Sequence, residues 1–124
     1  MKDGATDLKV TKSSDGVSID PDDHKIVYKY KVIVGSEYGS DGDITLDDIL
    51  ANELDSKLGS DAKRTVQNVT CKLKDSNGQY TDVTSNGYVT PATGTIGNGD
   101  TVIKGNLPKL DANSQYEITY EVVV

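Results

Sequence analysis

The chain has 124 residues, of which 35% are hydrophobic, below the roughly 45–50% usual for globular domains even though that figure also counts glycine. One domain with a lean core is the expectation. Asp and Glu number 20 against 13 Lys and Arg, a net charge of −7, and this disfavours nucleic acid or an anionic membrane surface as a partner.

With 7 Tyr but no Phe or Trp, the large apolar volume comes from Tyr and from Val, Ile and Leu, a mix that favours strands. The single Cys71 has no disulfide partner, and His24 alone beside it makes no cluster of soft metal ligands. Neither a cofactor nor a transition metal is expected. No apolar run approaches the roughly 20 residues that span a bilayer, and Met1-Lys2-Asp3-Gly4 lacks the apolar stretch of a signal peptide. Residues 1–6 read as disordered or as brought in with an expression start, and 7–124 as a single domain belonging to a longer chain.

In chain order, Leu8, Val10 and Lys12 share one face of a first strand, and Ser13-Ser14-Asp15-Gly16 reads as a turn. From Lys25 to Val34, Ile26, Tyr28, Tyr30, Val32 and Val34 alternate with Lys29 and Lys31, which marks a sheet with one wet face. Gly35 to Asp43 reads as an exposed loop. Ile44 to Leu50 begins as a strand, yet Leu46, Leu50, Leu54 and Leu58 recur at helical spacing; a short strand passing into about two helical turns that end near Gly59 is the favoured reading. Thr65 to Lys74 alternates again with Val69, Cys71 and Leu73 inward, and Asp75-Ser76-Asn77-Gly78 is a hairpin turn before Gln79 to Val83. Tyr88-Val89-Thr90, Thr101-Val102-Ile103 and Tyr116 to Val124 supply the remaining strands. About seven to nine antiparallel strands with at most one short helix describe an all-β, immunoglobulin-like β-sandwich. Its predicted core contains Ile26, Tyr28, Tyr30, Val32, Cys71, Leu73, Ile118, Tyr120 and Val122.

Catalytic constellations are missing from the sequence. His24 sits in the polar turn Asp20-Pro21-Asp22-Asp23-His24 without a nucleophile or an orienting group, Cys71 is at an inward strand position where a thiol is inert, and Gly94 to Gly99 lacks the ending of a phosphate loop. Asp41-Gly42-Asp43 and Asp20 to Asp23 are the calcium candidates, with Asp41 and Asp43 the residues named, although neither cluster has EF-hand spacing. Strand parity also turns two charges toward the core: Lys12 follows Leu8 and Val10, and Asp48 follows Ile44 and Leu46. Two accounts are open. Either the charges meet as a buried pair, because burying one alone costs several kcal/mol, or Lys12 snorkels out at the strand end and Asp48 charges a first helical turn.

Asp7 to Lys12, Ile44 to Leu50, and Gly105 to Tyr120 together resemble the first strand, the acid-bearing strand and the final turn and strand of the immunoglobulin-like repeat domains of Gram-positive surface adhesins and pilins, of the collagen-adhesin type that forms internal isopeptide bonds. The resemblance implies that Lys12 is the reactive lysine and Asp48 the assisting acid, a neutral amine attacking an Asn amide whose carbonyl the protonated acid polarises. Tyr116 to Val124 contains no Asn to receive that attack. The resemblance further implies a non-enzymatic, extracellular module, part of a cell-wall-anchored protein or pilus, with neighbouring domains, a host matrix protein or a glycan as partners. The alternative from another class is a carbohydrate-binding or accessory module of a secreted multidomain enzyme. Exposed aromatics separate the two readings, since sugars stack on rings, and Tyr38, Tyr80 and Tyr88 fall in or near loops.

Overall fold

The computed structural model describes residues 8–20, 25–40, 42–49, 64–96 and 100–124. Eight strands are present among them: β1 (Leu8–Asp20), β2 (Lys25–Ser36), β3 (Ile44–Ile49), β4 (Thr65–Lys74), β5 (Tyr80–Asp82), β6 (Val89–Pro91), β7 (Thr101–Leu107) and β8 (Ser114–Val123). The one helical element among the described residues is a 3-10 turn, Thr84–Asn86. The strands form a five-stranded sheet in the order β1-β2-β8-β4-β5 and a three-stranded sheet in the order β3-β7-β6. Every pairing is antiparallel, and the chain is a β-sandwich.

Alternation in β2 and β8 sends one row of each strand to the core and the other to water. Val32, Val34, Tyr116, Ile118, Tyr120 and Val122 are buried, and they meet Ile44, Ile103 and Leu107 of the smaller sheet. Tyr30 and Tyr120 face each other across the β2–β8 ladder and stack with centroids 5.4 Å apart, supplying the ring volume that Phe would otherwise provide. Of the nine residues read as core, Val32, Cys71, Ile118, Tyr120 and Val122 are buried, and Tyr28, Tyr30 and Leu73 pack partly buried against them. Ile26 is half-buried and stands outside the cluster.

The hairpin expected at Asp75 to Gly78 joins β4 to β5, with Lys74 opposite Tyr80. The Asp75 carboxylate accepts the backbone N–H of Asn77 and of Gln79 at 2.9 and 3.0 Å, the local bonding that makes Asp a turn former. In contrast, Ser13 to Gly16 is no turn. β1 runs straight through it in register with β2, and the register shifts between Ser14 and Gly16, so the small polar residues form a β-bulge inside one long strand. The helical reading of Leu50 to Gly59 lies outside the described residues, as does His24.

Candidate functional site

The face of the five-stranded sheet turned away from the smaller sheet carries an ordered array of polar side chains. Its first row runs Lys9, Gly35, Gln115, Lys74, Tyr80 across the five strands, and its second runs Thr11, Ile33, Glu117, Lys72, Asp82. Because Gly35 has no side chain, the first row dips at β2, and a groove of about 380 Å3 opens there, with Lys9, Glu37, Asn113 and Gln115 among its walls. A Cβ built on Gly35 would stand 3.2 Å from the Gln115 Cβ, so a side chain at this position would fill the dip.

Two carboxylates of β8 organise the array. Glu117 accepts the Tyr80 hydroxyl at 2.8 Å and the Gln115 side-chain amide at 2.7 Å, both on Oε2. Partial burial pushes its carboxyl up, but the bonds from Tyr80 and Gln115 and the charges of Lys31 and Lys74 outweigh that and hold it below the usual glutamate value. Two repeats of the pleat further on, Glu121 Oε1 accepts the amides of Gln67 and Asn68, each at 2.8 Å. Two successive residues reach one oxygen because β4 bulges between Gln67 and Thr70, with Asn68 in the left-handed region at φ 53°. The Gln67 bond lowers the Glu121 carboxyl most, the Asn68 bond and the Lys29 charge add to this, and slight burial opposes them. Between the carboxylates the Thr70 and Thr119 hydroxyls bond to each other. A carboxylate offers about four lone-pair sites, so both keep capacity for a further donor.

Tyr80 ends this array at the sheet edge, 52% exposed, with the Lys74 ammonium 5.6 Å from its ring centre. Tyr38, 65% exposed, lies in the β2–β3 loop beside the groove residue Glu37. That loop is tied to the β7–β8 connection: Ser40 N–H donates to the Leu110 carbonyl at 2.9 Å, Leu110 N–H to Ser40 Oγ at 2.7 Å, and Asn113 N–H to the Ser36 carbonyl at 2.9 Å. Tyr88, the third aromatic singled out in the sequence, is half-buried and meets Tyr116 edge to face, with centroids 6.3 Å apart.

No protein-family model matches the chain, and no curated protein matches it. Solved structures do share its fold, two of them carbohydrate-binding modules. One is a family 3a carbohydrate-binding module from the cipA scaffolding of Clostridium thermocellum, 17% identical, with a TM-score of 0.54, covering 94% of this chain and 74% of that one. The other is a CBM3a-L domain with flanking linkers from the scaffoldin cipA of the Clostridium thermocellum cellulosome, 18% identical, with a TM-score of 0.55, covering 98% and 70%. At these identities the likeness is one of fold.

The remaining candidates lie elsewhere. Lys12 is on the core-side row of β1, opposite Val32. It is nonetheless exposed, because β1 is the sheet's edge, and its ammonium lies 5.0 Å from the Tyr30 ring centre and 5.9 Å from that of Tyr120. The Asp48 backbone pairs with Ile103 in β3, and its side chain is outside what is described. Asp41 is likewise outside, and Asp43 is exposed; among the described residues no three His, Cys, Asp or Glu side chains cluster for a metal. Cys71 is buried, and desolvation, with the Asp82 charge, pushes its thiol up to about 11, so it is a neutral, unreactive group at neutral pH. No helix among the described residues is long and apolar enough to cross a membrane.

Glu117, Glu121, Gln67, Asn68 and Gln115 were not singled out from the sequence. The outward parity of Gln115, Glu117 and Glu121 in β8 was readable, but the alternation of Val69, Cys71 and Leu73 in β4 would turn Gln67 inward, and it is the bulge between Gln67 and Thr70 that brings it out to Glu121, 54 positions away.

Proposed function

We propose that this chain is a non-enzymatic carbohydrate-binding or accessory module of an extracellular multidomain protein, and that it takes its glycan on the outer face of the five-stranded sheet. The observation that carries this reading is the pair of carboxylates on β8, each held by two donors, in a face that ends at the exposed Tyr80 ring. Sugar recognition calls for fixed acceptors and donors to match hydroxyls in defined directions, and for a ring to cover the apolar face of a pyranose. Glu117 and Glu121 are held by bonds within the sheet, so a ligand meets acceptors that are already oriented. The fold shared with two carbohydrate-binding modules supports the same reading.

The test is depletion from solution by a panel of insoluble polysaccharides, with calorimetry on soluble oligosaccharides. Tyr80→Ala should weaken binding about tenfold, since an aromatic contact contributes about 1.4 kcal/mol, whereas Tyr80→Phe keeps the ring and most of the affinity. Failure to bind any glycan, or an unchanged affinity in Tyr80→Ala, refutes the proposal.

A second reading has one observation in its favour. As a stalk or adhesive module of a Gram-positive surface protein or pilin, spanning 7–124 as one domain and contacting neighbouring domains or a host matrix protein, the chain would pair Lys12 with Asp48. The Lys12 ammonium does turn to the core side of β1, over Tyr30 and Tyr120.

A further inference from the structure

We propose that β1 is a self-association edge, and that two copies of this chain join through antiparallel β1–β1 pairing into one continuous sheet. Among the described residues, β1 pairs with β2 on one side and ends the five-stranded sheet on the other. It spans 13 residues, and an edge of that length is a template for another strand. Its core-side row holds Leu8, Val10, Lys12 and Ser14 before the bulge and Val17 and Ile19 after it, as their partners Val34, Val32, Tyr30, Tyr28 and Ile26 on β2 establish. Val10, Val17 and Ile19 are 53%, 57% and 69% exposed. Apolar residues this open on the inner side of an edge are the ones a docked strand would cover.

The bulge selects the occupant. Residues directly opposite in an antiparallel pair share a face, so a regular strand pairing with its own copy matches only positions of equal parity. By passing over one residue between Ser14 and Gly16, β1 shifts the parity of its second half. A two-fold axis at Ser13 then sets Leu8 opposite Ile19, Val10 opposite Val17, Lys12 opposite Ser14 and Ser13 opposite its own copy, all with matching faces. Moving the register by one allowed step in one direction puts Lys12 against Lys12, and in the other puts Lys12 against Val17. The Ser13-centred register is the one that sets apolar residues against apolar residues and keeps the lysines apart. Lys12 does not bar the edge, since its ammonium is folded back over Tyr30 and Tyr120.

The two-fold axis of such a pair stands perpendicular to the sheet, so the outer faces of both copies look the same way. The proposal does not depend on what those faces bind, and its test uses no glycan. Ser13→Cys, at an exposed position, should oxidise to a covalent dimer more than about tenfold faster than Thr11→Cys or Ser18→Cys. Opposed Cα atoms lie about 4.5–5.5 Å apart, within disulfide reach, whereas two copies of Thr11 would be roughly 13 Å apart. The unsubstituted chain, with Cys71 buried, gives the background rate. Sedimentation equilibrium should show a concentration-dependent dimer that disappears in the double variant Val17→Lys with Ile19→Lys, whose exposed sites leave the fold, followed by circular dichroism, unchanged. A chain that stays monomeric up to millimolar concentration, a dimer that survives both lysines, or equal cross-linking at Ser13, Thr11 and Ser18 overturns the proposal. So does a monomer that takes up an extended peptide at β1, which would make a foreign strand the occupant.

Discussion

Gly39 is the position where a single methyl group should do the most damage. It has φ +83°, and a Cβ there would stand 2.8 Å from the Leu110 carbonyl oxygen, 3.1 Å from the Ala112 nitrogen and 3.2 Å from the Asp111 carbonyl carbon. All three are backbone atoms, which cannot rotate away. In Gly39→Ala the left-handed backbone costs roughly 1–2 kcal/mol and the overpacking about 1–3 kcal/mol. The loop would have to part from the β7–β8 connection, straining the bonds between Ser40 and Leu110. Gly87 provides the control, with φ +75° and nothing within 4 Å of its added Cβ. Gly87→Ala therefore pays the backbone term alone, and the change in unfolded-chain entropy is common to both variants and cancels. Thermal unfolding followed by circular dichroism should place Gly39→Ala below Gly87→Ala by about 1–3 kcal/mol, or roughly 4–12 °C in midpoint for a domain of this size. A difference inside about 0.5 kcal/mol, the range of an ordinary surface substitution, would show that the two loops are not in contact and that Tyr38 is not held beside the groove.

Acid should expose the carboxylate clamps. The folded-state values of Glu117 and Glu121 lie below the usual 4.5, so the stability they contribute is present above that pH and is lost as pH falls through the lower folded values. Urea midpoints measured on either side of pH 4.5 should fall less steeply toward acid in the double variant Glu117→Gln with Glu121→Gln than in the unsubstituted protein; equal slopes would mean that the clamps are not formed in solution. Intact mass spectrometry addresses Lys12 and Asp48. With no Asn in Tyr116 to Val124, the mass should equal that of the sequence, and a deficit of one ammonia or one water would show that a covalent bond had formed.

Much of the fold was legible because β2 and β8 are amphipathic at strict period two, and because Asp75-Ser76-Asn77-Gly78 bonds to itself in the manner its residues favour. What was not legible depends on partners distant in sequence. Ser-Ser-Asp-Gly suits a turn and a bulge equally, and the choice was made by β2, which pairs with β1 on both sides of the bulge. Parity assigned Val10 and Lys12 to the correct row, but parity names a face and not what covers it; at the sheet edge the same row is open to solvent. Ile26, at the end of β2 opposite the exposed Ile19, is half-open because the strand ends there. Of the candidate site, Tyr80 and Tyr38 were visible as aromatics near loops. Glu117 and Glu121 gain their meaning only when β4 and β8 are laid side by side with a bulge in β4.

Strand direction has one more consequence. β1 and β8 both run antiparallel to β2, which lies between them, so they are parallel to each other. Leu8 is level with Ser36 and Ser114, where β8 begins, while Val123 is level with Val27 and Ser18, near the far end of β1. The chain thus enters this sheet at one end and leaves it at the other, roughly 33 Å away for the ten residues of β8. A pull applied through Leu8 and Val123 acts along the strands, and the β1–β2 and β2–β8 ladders resist it in shear, with all rows loaded together. The same rows pulled across the strands would peel one at a time, so the sandwich should resist elongation along its long axis far better than separation of its edge.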